Sequence, residues 1–354
     1  MKKGIYLVQE HACLNPHSGA FQHIKMGLKH LGKEFEIVLF LGVNPVELKK
    51  IETLIPIGTK KENHITKPSY WLKGSVKDFI LFFKILYSIS KLYRELKKEA
   101  PSFIYERTSR LNFSGFIVAK LLGIPHFYEA NGLQFESVKK YYSSLFTYFI
   151  KHIEKLQYKF SNHVFFVGTY GNYWKLKSNN WTNVENGVEK GLIDNIHNEK
   201  ISDGKIHLVF VGSLMKHHRA DVLKSALLLL DTHLFHLHLV GSKLDNLYDD
   251  LLKLNITVTH HGFKSRKELN LLISKFHIGV IAGGPEYNSN MKLFDYAIGK
   301  CAVIAPSIDV LQSSFKEDLY FFDGTAEDFA IKLDELIRNK SQRIYLSERL
   351  YVKI

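Results

Sequence analysis

The residues best placed to do chemistry lie between Ile278 and Ala305. This stretch reads strand, glycine-bearing loop, helix, strand, with Gly283, Gly284 and Pro285 in the loop and Asn288, Ser289 and Asn290 ahead of the helix. Asn and Ser there supply N-cap chemistry. The free backbone N–H groups of the helix start, from Met291 to Leu293, carry partial positive charge and suit phosphate oxygens. Lys292 adds a full charge in the first turn. Asp295 falls one turn along, on the face of Met291, where a carboxylate can accept both hydroxyls of a ribose. The alternative is a plain capped helix with a surface Lys and Asp.

The elements that must hold this site follow an α/β rhythm. Gly4 to Val8 is a buried-strand pattern, Gly19 to Leu31 has helical spacing, and Phe35 to Phe40 is the next strand. That is a βαβ unit, so the sheet is parallel. The pattern recurs through Phe103–Tyr105, Ser114–Leu122, His126–Tyr128, a helix from Ser143 to Phe160, and His163–Val167. Glu185 to Ser202 has no apolar period, and the rhythm restarts at Ile206. Two domains are expected, 1–188 and 189–354. Ligands of such sheets bind at the carboxyl ends of the strands, so two sheets facing across a cleft would take two substrates.

Composition narrows the class. The chain has 354 residues, 45% hydrophobic and 23% charged, which is ordinary globular composition. Cys13 and Cys301 have no metal-ligand spacing and read as free thiols of a reducing compartment. The formal charge is +13. Nucleic acid, an anionic membrane, anionic small substrates or a merely solvated lysine-rich surface would each account for it. No nucleic-acid motif stands in the chain. No stretch reaches the roughly 18 to 20 apolar residues of a bilayer span, since Phe79 to Ser90 is short and broken by Lys84. A cytoplasmic protein, peripheral on the inner face of a membrane, is expected. Neither Gly-x-Gly-x-x-Gly nor a P-loop is present. His217-His218 and His260-His261 are adjacent pairs that share no helix face, so no metal is expected.

Six segments, in order, resemble the retaining glycosyltransferases of the GT-B fold, family 4. Lys292-Leu293-Phe294-Asp295-Tyr296 followed by Gly299-Lys300-Cys301-Ala302-Val303-Ile304-Ala305 resembles the family's Lys-Leu-Phe-Glu-Tyr and Gly-Lys-x-Val-Ile-Ala. Pro16 to His23 resembles its glycine loop, with Gly19 as the one glycine. Tyr105-Glu106-Arg107 and Glu129-Ala130-Asn131-Gly132 resemble its Arg and Glu-x-Asn-Gly loops. Asn183 to Val188 resembles its interdomain signature. Phe210 to Asp221 resembles its Val-Gly-Arg-Leu-x-x-x-Lys segment, and His260 to Ser265 its base-contacting loop.

The resemblance implies two Rossmann-like domains and transfer of a sugar, with retention, from a nucleotide-sugar to a glycan or lipid-linked acceptor. The setting it implies is surface polysaccharide synthesis. A UDP-sugar is the expected donor, with no cofactor and no metal. Asp295 takes the ribose. Tyr287, with Glu286 beside it, stands where the family carries its sugar-contacting Glu. Ser213 and His218 stand where Arg and Lys grip the diphosphate, and Lys216 and Arg219 flank them. Gly19, Phe263, Met291 and Leu293 complete the donor set. Lys292 and Arg219 would stabilise the leaving diphosphate. Glu129 would orient or deprotonate the acceptor, with Arg107 and Asn131 binding it. The basic amphipathic segments Lys77–Lys98 and Lys139–Lys159 would meet an anionic membrane. The alternative is a GT-B nucleotide-sugar or glycan-binding protein impaired in catalysis.

Overall fold

A computed structural model describes residues 1–10, 13, 19–46, 70–137, 144–177, 179–188 and 199–354. The chain divides into two compact units, Met1–Val184 and Glu185–Ile354. The division, expected after Val188, comes after Val184.

In the first unit, β1 (Lys3–Val8) lies between β2 (Glu36–Leu41) and β4 (Phe103–Arg107). With β3 (Asn44–Val46), β5 (His126–Ala130), β6 (His163–Val167) and β7 (Trp181–Val184), the order is β3-β2-β1-β4-β5-β6-β7. All pairs are parallel except β3, which returns antiparallel on β2. Pro45 cannot donate to a ladder, and an edge strand tolerates it. β1 shows how both faces are buried. Ile5 and Leu7 join a cluster with Leu92, Leu96 and Val118, while Tyr6 and Val8 join one with Phe21, Ile24 and Leu28.

The helices of this unit are α1 (Gly19–Leu31), α2 (Tyr70–Glu99), α3 (Ser114–Leu122), α4 (Gln134–Ser137), α5 (Thr147–Phe160) and α6 (Tyr170–Trp174). Gly123 closes α3 in the left-handed conformation, at φ 67°, which glycine adopts without strain.

The second unit contains β8 (Ile206–Val211), β9 (Phe235–Val240), β10 (Val258–His260), β11 (Ile278–Val280), β12 (Ala302–Pro306) and β13 (Tyr320–Phe322). Their order is β10-β9-β8-β11-β12-β13, all parallel. Its helices are α7 (Ala220–Leu227), α8 (Asp245–Lys253), α9 (Arg266–Ile273), α10 (Met291–Ile298), α11 (Asp309–Phe315), α12 (Ala326–Arg338) and α13 (Lys340–Lys353). The last, α13, packs within this unit through Leu346 and Leu350.

Each sheet is doubly wound. The strand order reverses between β1 and β4 in the first unit and between β8 and β11 in the second. Neighbouring strands part at such a point, and their carboxyl ends open a crevice. In the second unit Tyr296 of α10 fills the divergence. Its hydroxyl accepts from Val211 N at 2.9 Å and donates to Val280 O at 3.1 Å. Gly279 makes this possible, because a Cβ there would collide with the Tyr296 ring.

Candidate functional site

Glycines follow the strands that border the crevice of the second unit. Gly212 follows β8 at φ 151° and Gly241 follows β9 at φ 146°. A Cβ on Gly241 would overlap the Gly212 carbonyl oxygen. Gly262 follows β10, and its carbonyl accepts from Gly241 N at 2.9 Å. Gly283 and Gly284 follow β11, and Gly283 lies directly under the Arg219 stem.

Lys292 reaches into this crevice. It is 7% exposed, and its ammonium has no hydrogen-bond partner. The Nζ lies 5.3 Å from the centre of the Phe210 ring and 3.6 Å from where a Cβ on Gly212 would stand. Burial pulls its pKa down to about 8. Buried ammonium groups are ordinarily paired, and cation–π contact with one Phe is weak compensation.

Asn288, Ser289 and Asn290 do not cap α10 as expected. Asn290 sits at the N-cap, but no side-chain bond closes the helix start. Ser289 turns away, its hydroxyl accepting from Asn186 N at 3.0 Å. Asn186 Nδ2 also donates to Ser289 O at 3.2 Å, so Asn186 fastens this loop. Met291 and Leu293 therefore open a helix whose N-terminal N–H groups lack a side-chain acceptor, beside an unpartnered ammonium.

His218 shares the crevice. Its Nδ1 donates to Ser213 O at 2.7 Å, and its ring lies 3.2 Å from where a Cβ on Gly212 would stand. Burial, and then Lys292, lower its pKa to about 4, so the imidazole is neutral at pH 7. Lys216 and Arg219 are exposed on the turn after Gly212. The Arg219 Nε donates to Asp221 at 3.2 Å in an exposed ion pair.

Asp295 is 3% exposed and faces Arg266, whose Nη2 and Nη1 lie 2.8 and 3.1 Å from its two oxygens. Burial pushes the carboxyl up to about 6 while Arg266 opposes the rise. Nη1 of Arg266 donates to Oδ2, while Oδ1, though 2.8 Å from Nη2, has no hydrogen-bond partner. Glu286 is exposed and caps another helix, its carboxylate accepting from Asp309 N of α11 at 2.9 Å. Tyr287 beside it is half-buried, and Phe263 stands 52% exposed past Gly262.

In the first unit, Glu129, next to last in β5, is 1% exposed and is the hub of a polar cluster. Arg107 and Asn131 donate to its Oε1. Tyr105 and Tyr6 donate to Oε2 at 2.8 and 3.2 Å, and His23 Nε2 lies 3.2 Å from it. Arg107 and His23 overcome the cost of burial and hold the carboxyl far below the usual range. Such a carboxylate is a poor base, so the deprotonating role does not fit it, whereas holding Arg107 and Asn131 in place does. Arg110 is paired with buried Asp78. Gly19 is the exposed first residue of α1, and residues 16–18 lie outside those described. Sequence reading passed over Tyr6, His23, Tyr105, Arg266 and Tyr296. No local pattern marks them, since Tyr6 and Tyr105 lie inside β1 and β4 and Arg266 opens α9.

Among the described residues, the one His/Cys/Asp/Glu group spaced to hold a metal is His207, His236 and His238. None of the sequence-based site residues belongs to it.

No family model matches this chain, and no curated protein sequence does. Solved structures do. Sucrose-phosphate synthase from Thermosynechococcus elongatus superposes with a TM-score of 0.68 at 13% identity, over 100% of this chain and 94% of that one. A glycosyltransferase from Rickettsia africae gives 0.67 at 17% identity, over 99% and 93%. HepE of Anabaena, in complex with UDP, gives 0.64 at 11% identity, over 99% and 94%. With two doubly wound sheets in succession along one chain, this protein has the GT-B fold of the glycosyltransferases it resembles.

Proposed function

We propose that the chain transfers a sugar, with retention, from a nucleoside-diphosphate donor to a hydroxyl of a glycan or lipid-linked acceptor. The observation that carries this reading is Lys292, a buried and unpartnered ammonium beside an uncapped helix start at the strand-order reversal. A diphosphate supplies what both lack, acceptor oxygens and negative charge. UDP is the first nucleotide to try, since HepE was solved with UDP and with UDP-glucose. In the reaction, Lys292 and the α10 N–H groups stabilise the leaving diphosphate. The neutral His218 gains a proton as negative charge arrives. Asp295 meets the ribose together with Arg266. In the first unit Glu129 positions Arg107 and Asn131 for the acceptor.

The test compares the native protein with Lys292→Met. Calorimetry with UDP, GDP and CMP, and donor hydrolysis, are measured beside the melting temperature. The variant should melt higher, because an unpaired buried charge is gone, yet bind UDP at least about tenfold more weakly. Equal UDP affinity in the two proteins, or no binding by any of the three nucleotides, would refute the reading. A second reading, donor binding without turnover, is favoured by the ties of Arg219 to Asp221 and of Glu286 to α11. UDP binding with neither hydrolysis nor transfer, across a panel of UDP-sugars, would support it.

A further inference from the structure

We propose that His207, His236 and His238 form a binding site for a divalent transition metal, zinc first, in the second unit. Their placement follows from register. β8 and β9 run parallel with His207 opposite His236 and Val209 opposite His238, so all three imidazoles project from one face of the sheet. One ligand atom from each lies within 4.8 Å of the others. Three imidazole nitrogens suit Zn2+, and also Cu2+ or Ni2+, better than they suit Mg2+ or Ca2+.

The outer nitrogen of each ring is already held. His207 Nε2 donates to Asp203 Oδ1 at 2.9 Å. His238 Nδ1 is 2.9 Å from His261 Nε2, and His236 Nε2 is 2.9 Å from Thr259 Oγ1. Metal-bound histidines carry this kind of outer partner, which fixes ring and tautomer. By elimination, the ligand atoms are His207 Nδ1, His238 Nε2 and His236 Nδ1.

His207 Nδ1 and His238 Nε2 are 2.8 Å apart and share a proton in the metal-free protein. With Asp203 accepting from His207 Nε2, the tautomer that leaves His207 Nδ1 bare puts the shared hydrogen on His238 Nε2. A tetrahedral zinc with Zn–N near 2.0–2.1 Å needs its ligand atoms about 3.3 Å apart, so His207 and His238 part by about 0.5 Å, while the His236 ring, stacked on His238 at 4.4 Å between centres, turns so that its Nδ1 faces the ion. The His238 proton moves to Nδ1 and is donated to His261 Nε2, whose own hydrogen shifts to Nδ1. Three neutral imidazoles bind with no net proton released, and water takes the fourth position. His236 is half-buried, which leaves a way in, while His207 and His238 are buried. The site is structural or regulatory. His207 stands five residues before Gly212 on β8, about 16 Å along the strand from the phosphate crevice.

The experiment uses the full chain stripped with EDTA and then titrated with ZnCl2 by calorimetry, with melting temperature and the visible spectrum of the Co2+ form as further readouts. One zinc per chain, a higher melting temperature and the intense bands of tetrahedral cobalt are expected. His236→Gln and His238→Gln should each weaken zinc binding at least about tenfold, and Asp203→Asn about tenfold. Should His238→Gln fail to fold, the half-buried His236→Gln carries the test. No saturable zinc binding, or unchanged affinity in His236→Gln, overturns the proposal. UDP binding is read in the same preparations, and its persistence in His236→Gln separates this site from the phosphate crevice.

Discussion

At the scale of single residues, Lys292 has two opposite pH dependences. Its folded pKa is about 8, below the roughly 10.4 of an unfolded lysine. Between those values the unfolded chain binds more protons, so the stability of the free protein rises with pH. UDP, in contrast, needs the ammonium. Calorimetry from pH 6.5 to 9.5 should show affinity falling as pH passes about 8, toward a limit of about tenfold per unit, while stability does not fall with it. A flat affinity would show that the ammonium takes no part. Glu129 makes the complementary case. Glu129→Ala removes the anion from Arg107, Tyr6, Tyr105, Asn131 and His23 together, and should lower unfolding free energy by about 3–5 kcal/mol in denaturant melts. Residue types had marked both positions, but neither partner set was legible. Arg266 and Asp295 are 29 positions apart in sequence and meet only because α9 packs beside α10. The emptiness around the Lys292 Nζ is likewise a property of packing, with no trace in the sequence.

At the scale of elements, α10 both opens the phosphate crevice and closes the seam beneath it. Tyr296→Phe deletes one hydroxyl and leaves Val211 N and Val280 O without their bonds. A loss of about 1–3 kcal/mol in thermal or denaturant unfolding is expected, with weaker UDP binding. Apolar runs made most of the neighbouring strands readable. β6 stands where His163–Val167 was read, and β8 begins at Ile206, where the rhythm restarts. Strands were lost where the run was short or mixed, as in Asn44–Val46 and Trp181–Val184. The helices Asp245–Lys253 and Lys340–Lys353 were also missed, their polar faces diluting the apolar period. The histidine trio was invisible for a different reason. His236 and His238 are neighbours on one strand face, but His207 joins them only through the register of β8 with β9, which no local pattern reveals.

At the scale of the whole molecule, the charge of +13 and an exposed aromatic surface occur together. On α2, Val76, Phe79, Ile80, Phe83 and Tyr87 form an exposed stripe at helical spacing. Phe79 also lies 6.4 Å, ring to ring, from Phe146 at the start of α5, where Leu145 and Tyr148 are exposed. Lys77, Lys84 and Lys91 are exposed on α2 among these residues. No helix among the described residues is long and apolar enough to cross a bilayer, but this face suits the interface of one. Flotation with anionic vesicles should recover the protein at low salt and lose it at high salt. Phe79→Glu with Phe83→Glu should lower binding by roughly tenfold or more. Equal recovery of the double variant would refute the assignment.

The division after Val184 has a practical consequence. Among the described residues, neither sheet borrows a strand from the other unit, and α13 packs within the second. A chain starting at Glu185 keeps Asn186 on Ser289, and with it the loop that leads into α10. Produced alone, residues 185–354 should fold and bind UDP as the full chain does, which titration can check. If so, the two halves can be made separately and rejoined with isotopes in one of them, so that spectra report donor and acceptor events one half at a time.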